Sequence, residues 1–248
     1  IAQSAHMPGY TAIGDKCKIL ALADINSETA QKASAKFDVP NVFDDYIKLL
    51  EMPEIDAVSI CTPNYMHFEP TIKALQAGKH VLCEKPIAMN AEQAKVMVDT
   101  AKNHNRKLAV GYNLRFSPQH QLLKKYIDGG DLGEIYYARA QALRRRGIPG
   151  WGVFIDKELQ GGGPLIDTGV HILDLTLWLM GYPKPVSASG QTWQRLGKNP
   201  ELYNGMGNYD RDKFTVEDFA AAFIRFDNGA VVSLESAFMA NLEGNPFQ

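Results

Sequence analysis

The sequence has no stretch of the roughly 18 to 20 uninterrupted apolar residues that a membrane-spanning helix needs. Its longest candidate, Gly169 to Met180, is broken by His171 and Asp174. An excess of charge of either sign is also missing. With 26 Lys and Arg against 28 Asp and Glu, the net charge of -2 removes the electrostatic reason to expect nucleic acid or an anionic membrane as partner. Cysteine is scarce: Cys17, Cys61 and Cys83 are odd in number and at no metal-ligand spacing. That argues against a disulfide framework and for reduced thiols in a soluble, cytoplasmic chain. Internal repeats and low-complexity tracts are absent. No charged-then-apolar leader opens the sequence, which starts at Ile1 rather than Met and so reads as a processed chain or a fragment.

What is present is an ordinary globular composition. The 248 residues, 45% hydrophobic and 22% charged, can bury a sizeable core and predict one to two domains. Short β-rich runs at Lys18 to Ala23, Ala57 to Cys61, His80 to Cys83 and Leu108 to Tyr112 alternate with segments of helical spacing at Ser27 to Phe37, Asp44 to Leu50, Met66 to Ala77 and Ala91 to Asn103. This alternation predicts right-handed crossovers on a parallel sheet, with functional loops at the carboxyl ends of the strands. After about Tyr112 the pattern changes. A helix over Ser117 to Asp128, a strand over Ile135 to Arg145 and a helix over Pro164 to Met180 precede strands at Val186 to Trp193, Asp218 to Phe226 and Ala230 to Phe238. Asp227-Asn228-Gly229 joins the last two as a hairpin. The expected architecture is a parallel α/β domain over 1–114, then an α+β domain over 115–248 with a largely antiparallel sheet.

Several segments carry chemistry. Asp24 ends the first strand, where an acidic residue either caps the next helix or accepts hydrogen bonds from an adenosine ribose. Thr62-Pro63-Asn64 follows the strand Ala57 to Ile60. Pro63 stops the strand and leaves polar groups at the sheet edge, an arrangement shared by ordinary turns. His67 fits a site, a helix start or a buried structural histidine. Glu84-Lys85-Pro86 closes the strand His80 to Cys83. Either it is a solvated turn, or Pro86 holds an ammonium where it can stabilise a developing alkoxide. Gly161-Gly162-Gly163-Pro164 opens a helix whose Asp167, His171 and Asp174 fall on one face. A carboxylate one turn from an imidazole suits a general base, while mutual pairing and a divalent metal also fit the pattern. Catalysis or ligand binding without a metal is the expectation. Arg144-Arg145-Arg146 to Trp151 is either a charged loop or a ligand contact.

Together these elements form a constellation. Asp24, Cys61-Thr62-Pro63-Asn64 with His67, Glu84-Lys85-Pro86, Gly111-Tyr112 with Arg115-Phe116, and Gly162-Gly163 followed by Asp167-x-x-x-His171 resemble, in order and over nearly the whole chain, the Gfo/Idh/MocA family of NAD(P)-dependent oxidoreductases. The resemblance implies a Rossmann domain followed by a domain whose open sheet backs the active site. It implies that Lys85, Asp167 and His171 contact the reacting hydroxyl, and that Thr62, Pro63, Asn64, His67 and Glu84 line the nicotinamide side of the cofactor. Ala2 lies 22 residues before Asp24, so Ile1 and Ala2 fall at the last positions of the glycine fingerprint. The first strand and leading glycines are then expected upstream, and the last strands of the second domain downstream.

The implied activity is hydride transfer between nicotinamide and a secondary hydroxyl of a sugar, inositol or related polyol. Asp24 favours NAD over NADP, because its charge would face the 2'-phosphate and neither Ile25 nor Asn26 compensates it. A homo-oligomer is implied as well. The alternatives are a non-catalytic sugar or dinucleotide sensor of the same fold and an NAD-dependent glycosidase.

Overall fold

The computed structural model describes residues 1–243; residues 244–248, the end of the expected second domain, lie outside them. The chain divides into two compact units. The first comprises Ile1–Thr62 and Met66–Gly111, and the second comprises Pro63–Tyr65 and Tyr112 onward.

In the first unit, a π turn at Ala2–His6 runs into α1 (Met7–Ala12). Strand β1 (Ala21–Ala23) pairs in parallel with β2 (Asn41–Phe43) around α2 (Ser27–Phe37). The start of α2 is fixed by Asn26, whose side chain accepts the Thr29 N–H at 2.9 Å, and its end by Asp38 in the left-handed region. After α3 (Tyr46–Leu50), a second parallel sheet holds β3 (Ala57–Ile60), β4 (His80–Cys83) and β5 (Leu108–Val110) in that order. The intervening helices are α4 (Phe68–Gln76) and α5 (Ala91–Asn103), the latter capped by Asn90. Leu75, Val81, Cys83 and Met97 form the buried centre of this unit. Burial is deepest on β4, whose Val81 and Cys83 are buried, while Ala57 of β3 and Ala109 of β5 are exposed.

The second unit opens with α6 (Pro118–Asp128) and β6 (Tyr137–Leu143). Next come the short α7 (Lys157–Gln160), a π turn at Leu165–Gly169 and α8 (Val170–Leu179). Strands β7 (Pro185–Trp193), β8 (Phe219–Phe226) and β9 (Val231–Ala237) complete a four-stranded sheet of order β6-β9-β8-β7. The β7–β8 and β8–β9 pairs are antiparallel and β6–β9 is parallel, so the sheet is mixed and mostly antiparallel. The expected hairpin is present, with Gly229 at φ 85°. Ile172 and Leu175 of α8 pack on Ala140, Ala142, Val232 and Leu234 of the sheet. A smaller core of Ile148, Phe214, Val216, Phe238 and Met239 lies under the loops. Buried Asp218 anchors it by accepting the backbone N–H groups of Arg195, Leu196 and Gly197 at 2.6 to 2.8 Å.

Three details differ from the sequence expectation. Asn41–Phe43 is a strand and Met7–Ala12 a helix, neither marked by the periodicity: the strand has only three residues and Met7 alone of that helix is buried. The helix expected over Pro164 to Met180 begins as a π turn, which places Asp167 in the wider winding rather than in α8. No helix among the described residues is long and apolar enough to cross a membrane.

Candidate active site: two clusters at strand ends and on a helix

The first cluster sits where the parallel strands of the first unit end. The ladder extends one residue past each strand: Glu84 N–H bonds the Ile60 carbonyl at 2.9 Å and Gly111 N–H the Cys83 carbonyl at 2.8 Å. Glu84 is thereby carried to the carboxyl edge of the sheet, where its side chain is largely buried. One oxygen pairs with His6 Nε2 at 2.7 Å and the other accepts the Lys85 backbone N–H at 3.1 Å. A Cβ at Gly111 would lie 3.0 Å from that carboxylate, so only glycine leaves it this room. Hydrogen bonding to Cys61 and to Glu84 pushes His6 up to about 9, so the imidazole is cationic at neutral pH. Burial opposes ionisation of Glu84, yet the His6 and Lys85 hydrogen bonds hold its carboxyl below the usual range. His6 also lies 3.4 Å from Ser59 Oγ, which in turn bonds Tyr10. Sequence reasoning marks neither His6, in the π turn, nor Tyr10, in α1, because the periodicity does not reveal this segment as helical.

The residues expected at the cofactor are distributed as follows. Asp24 is exposed just after β1, with one oxygen accepting the Asn26 N–H at 2.8 Å and, among the described residues, no cation paired to it. Thr62 Oγ1 donates to the Met66 carbonyl at 3.0 Å. His67 is buried, with Nδ1 at 2.6 Å from the Pro86 carbonyl and Nε2 at 2.9 Å from that of Thr62, so its ring ties the end of β3 to the turn after β4. Lys85 follows Glu84 and is joined to Pro86 by a cis peptide. Ile1 and Ala2 stand at the start of the first π turn, where the Ile1 carbonyl accepts from Ala5. Within the second unit, the Asn64 amide donates to the Gln160 carbonyl at 2.8 Å, with Pro63 beside it in sequence. An uncompensated acid after β1, together with polar groups at the carboxyl ends of parallel strands, suits the diol and amide groups of a dinucleotide.

The second cluster is on the π turn and α8. Gly163 admits the start of this helix against the segment before β8, since a Cβ there would lie 2.0 Å from the Glu217 carbonyl oxygen. Asp167 is buried and lies 3.5 Å from Arg144 Nη2. The Arg144 guanidinium also donates to the Gly147 carbonyl and stacks over Phe238. Asp174 is gripped by Arg115, whose Nε donates at 2.6 Å and whose Nη2 bonds the other oxygen. That pairing pushes the Arg115 guanidinium further above its already high value. The two arginines therefore serve the two acids of the helix, a role that sequence spacing does not reveal, because Arg144 reads as part of a charged loop. His171 meets the Tyr112 ring at 6.5 Å between centroids and 85° between planes. Among the described residues, no group of three or more His, Cys, Asp or Glu could hold a metal ion.

Residues 1–112 match the oxidoreductase family with an NAD-binding Rossmann fold, and residues 120–248 match the GFO/IDH/MocA C-terminal domain. The chain belongs to the Gfo/Idh/MocA oxidoreductase family. A D-glucoside 3-dehydrogenase of Escherichia coli is 40% identical over 98% of this chain and 68% of its own length. A levoglucosan dehydrogenase of Pseudarthrobacter phenanthrenivorans is 33% identical over 90% of this chain and 60% of its own. The solved structure of a levoglucosan dehydrogenase in complex with NADH superimposes with a TM-score of 0.81 at 30% identity, covering 97% of this chain and 63% of that one. This family member thus spans about 60 to 68% of the length of these relatives.

Proposed function

We propose that this Gfo/Idh/MocA oxidoreductase is an NAD-dependent dehydrogenase that oxidises a secondary hydroxyl of a sugar or related polyol, or runs the reverse reduction. The observation that carries the reading is the helix cluster: Asp167 is buried beside Arg144, with His171 one turn further along. Bound NAD supplies the hydride acceptor. His171 takes the hydroxyl proton; its Nδ1 is buried, so Nε2 is the nitrogen that receives it. Asp167, paired with Arg144, favours the imidazolium that results. Lys85, in the first unit, carries the ammonium that stabilises alkoxide character. Glu84, clamped by His6, fixes the backbone from which Lys85 projects. Thr62, Pro63, Asn64, His67 and Glu84 line the nicotinamide side, and Ile1 and Ala2 approach the phosphates. Asp24 takes the adenosine ribose diol and disfavours the 2'-phosphate of NADP.

The named relatives point to glucosides and levoglucosan, and the family resemblance to inositols, as first substrates to offer. With NAD and such a panel, the expected result is substrate-dependent NADH absorbance that Lys85→Ala reduces at least a hundredfold. No NADH from any of them, or unchanged turnover in Lys85→Ala, overturns the reading. We further read the protein as a cytoplasmic homo-oligomer. Three free thiols support the compartment, and β7, an exposed edge strand along its whole length, supports association.

A further inference from the structure

We infer that Arg115 is a positioning residue for His171, acting through Tyr112 and Asp174; the inference rests on the dehydrogenase reading above for its catalytic consequence. Tyr112 leads into a 3-10 turn at Asn113–Phe116 that packs on α8. From this turn the Arg115 guanidinium forks onto both carboxylate oxygens of Asp174, which stands three residues after His171 on the same helix. The same guanidinium lies over two aromatic rings, 5.7 Å from the Tyr112 centroid and 5.4 Å from that of Tyr182. Tyr112 then meets the His171 ring nearly at right angles. Arg115 therefore fixes both the helix that carries His171 and the aromatic ring packed beside it.

This arrangement needs a planar, permanently charged group. Guanidinium can bond a carboxylate through two parallel N–H groups while its faces stack on rings, where cation–π attraction adds to the ion pair. An ammonium keeps the charge but neither the fork nor the stacking. The ring beside His171 then loses its backing and the imidazole drifts from the direction in which it must accept a proton. Small misplacements of a catalytic group are costly, up to about a hundredfold in rate. Tyr182 is half exposed and its ring also lies against the guanidinium, which makes it a mild lever on the same clamp.

The test uses the full protein with isotope-labelled histidine, the His171 ring resonance being assigned by its loss in His171→Asn. In Arg115→Lys the His171 resonance is expected to move, while those of His6, His67, His80 and His104 stay in place. With the best substrate of the panel, kcat should fall ten- to a hundredfold with KM for NAD within twofold of wild type. Tyr182→Leu, which leaves the ion pair intact, should move the same resonance less and lower kcat two- to threefold. It carries the test if Arg115→Lys does not fold. An unmoved His171 resonance, or kcat within a factor of 1.5 of wild type, in a folded variant overturns the clamp. The resonance is read without substrate, so a lack of wild-type turnover counts against the dehydrogenase reading alone.

Discussion

The two units hold their functional acids with different cations. In the first, Glu84 is bound by a histidine whose charge depends on pH; in the second, Asp167 and Asp174 are bound by arginines whose charge does not. Burial sets the demand in both cases, because a carboxylate removed from water needs a partner. What differs is the range over which the partner stays charged. The cation at the strand-end cluster is consequently titratable, while the arginines of the helix cluster stay charged at any working pH.

The sharpest way to divide the two is His171→Asn. It is expected to lower turnover about a thousandfold, a barrier change of about 4 kcal/mol, without altering NAD affinity in a binding titration. If NAD affinity falls with turnover, the division of labour between the clusters is wrong. The next largest effect is on stability. Arg115→Ala strands a buried carboxylate and should cost about 3 kcal/mol in urea unfolding, and His6→Leu about 2 kcal/mol for the less enclosed Glu84. Equal losses would mean that the kind of cation does not matter.

A pH series sharpens the same contrast. His6 is raised from 6.5 to about 9, so its contribution to stability is full below pH 6.5, declines as pH rises, and is gone once pH passes about 9. Glu84, held low, behaves oppositely: its contribution is present above the usual carboxylate range and is lost on acidification through its lowered folded value. Urea unfolding between pH 6 and 9.5 should therefore show a decline that His6→Gln flattens and Arg115→Lys leaves in place. The smallest expected effect is on cofactor choice. Asp24→Asn should narrow the preference for NAD over NADP about tenfold, or about 1.4 kcal/mol, as read from the two Michaelis constants.

Much of the fold was legible because it follows from local pattern. Ser27–Phe37, Ala91–Asn103 and His80–Cys83 fall on their expected bounds: capping side chains and apolar spacing act within a few residues of themselves. The hairpin at Asp227 to Gly229 is likewise a local turn. The candidate site was legible only in part. Lys85, Asp167 and His171 stand out by residue type and spacing, but their supports do not. His6 is 78 residues from Glu84, Arg115 is 59 from Asp174, and Arg144 is 23 from Asp167. No spacing rule reaches across such separations.

The sequence alone determined the order of strands and helices, the change from a parallel to a mostly antiparallel pattern, and the family of chemistry, because periodicity, caps and short motifs are encoded by neighbours. Which cation meets which acid was decided only by the tertiary structure. Packing brings distant side chains into one dehydrated space, and the cost of burying a lone charge then leaves each acid with the cation that the fold delivers.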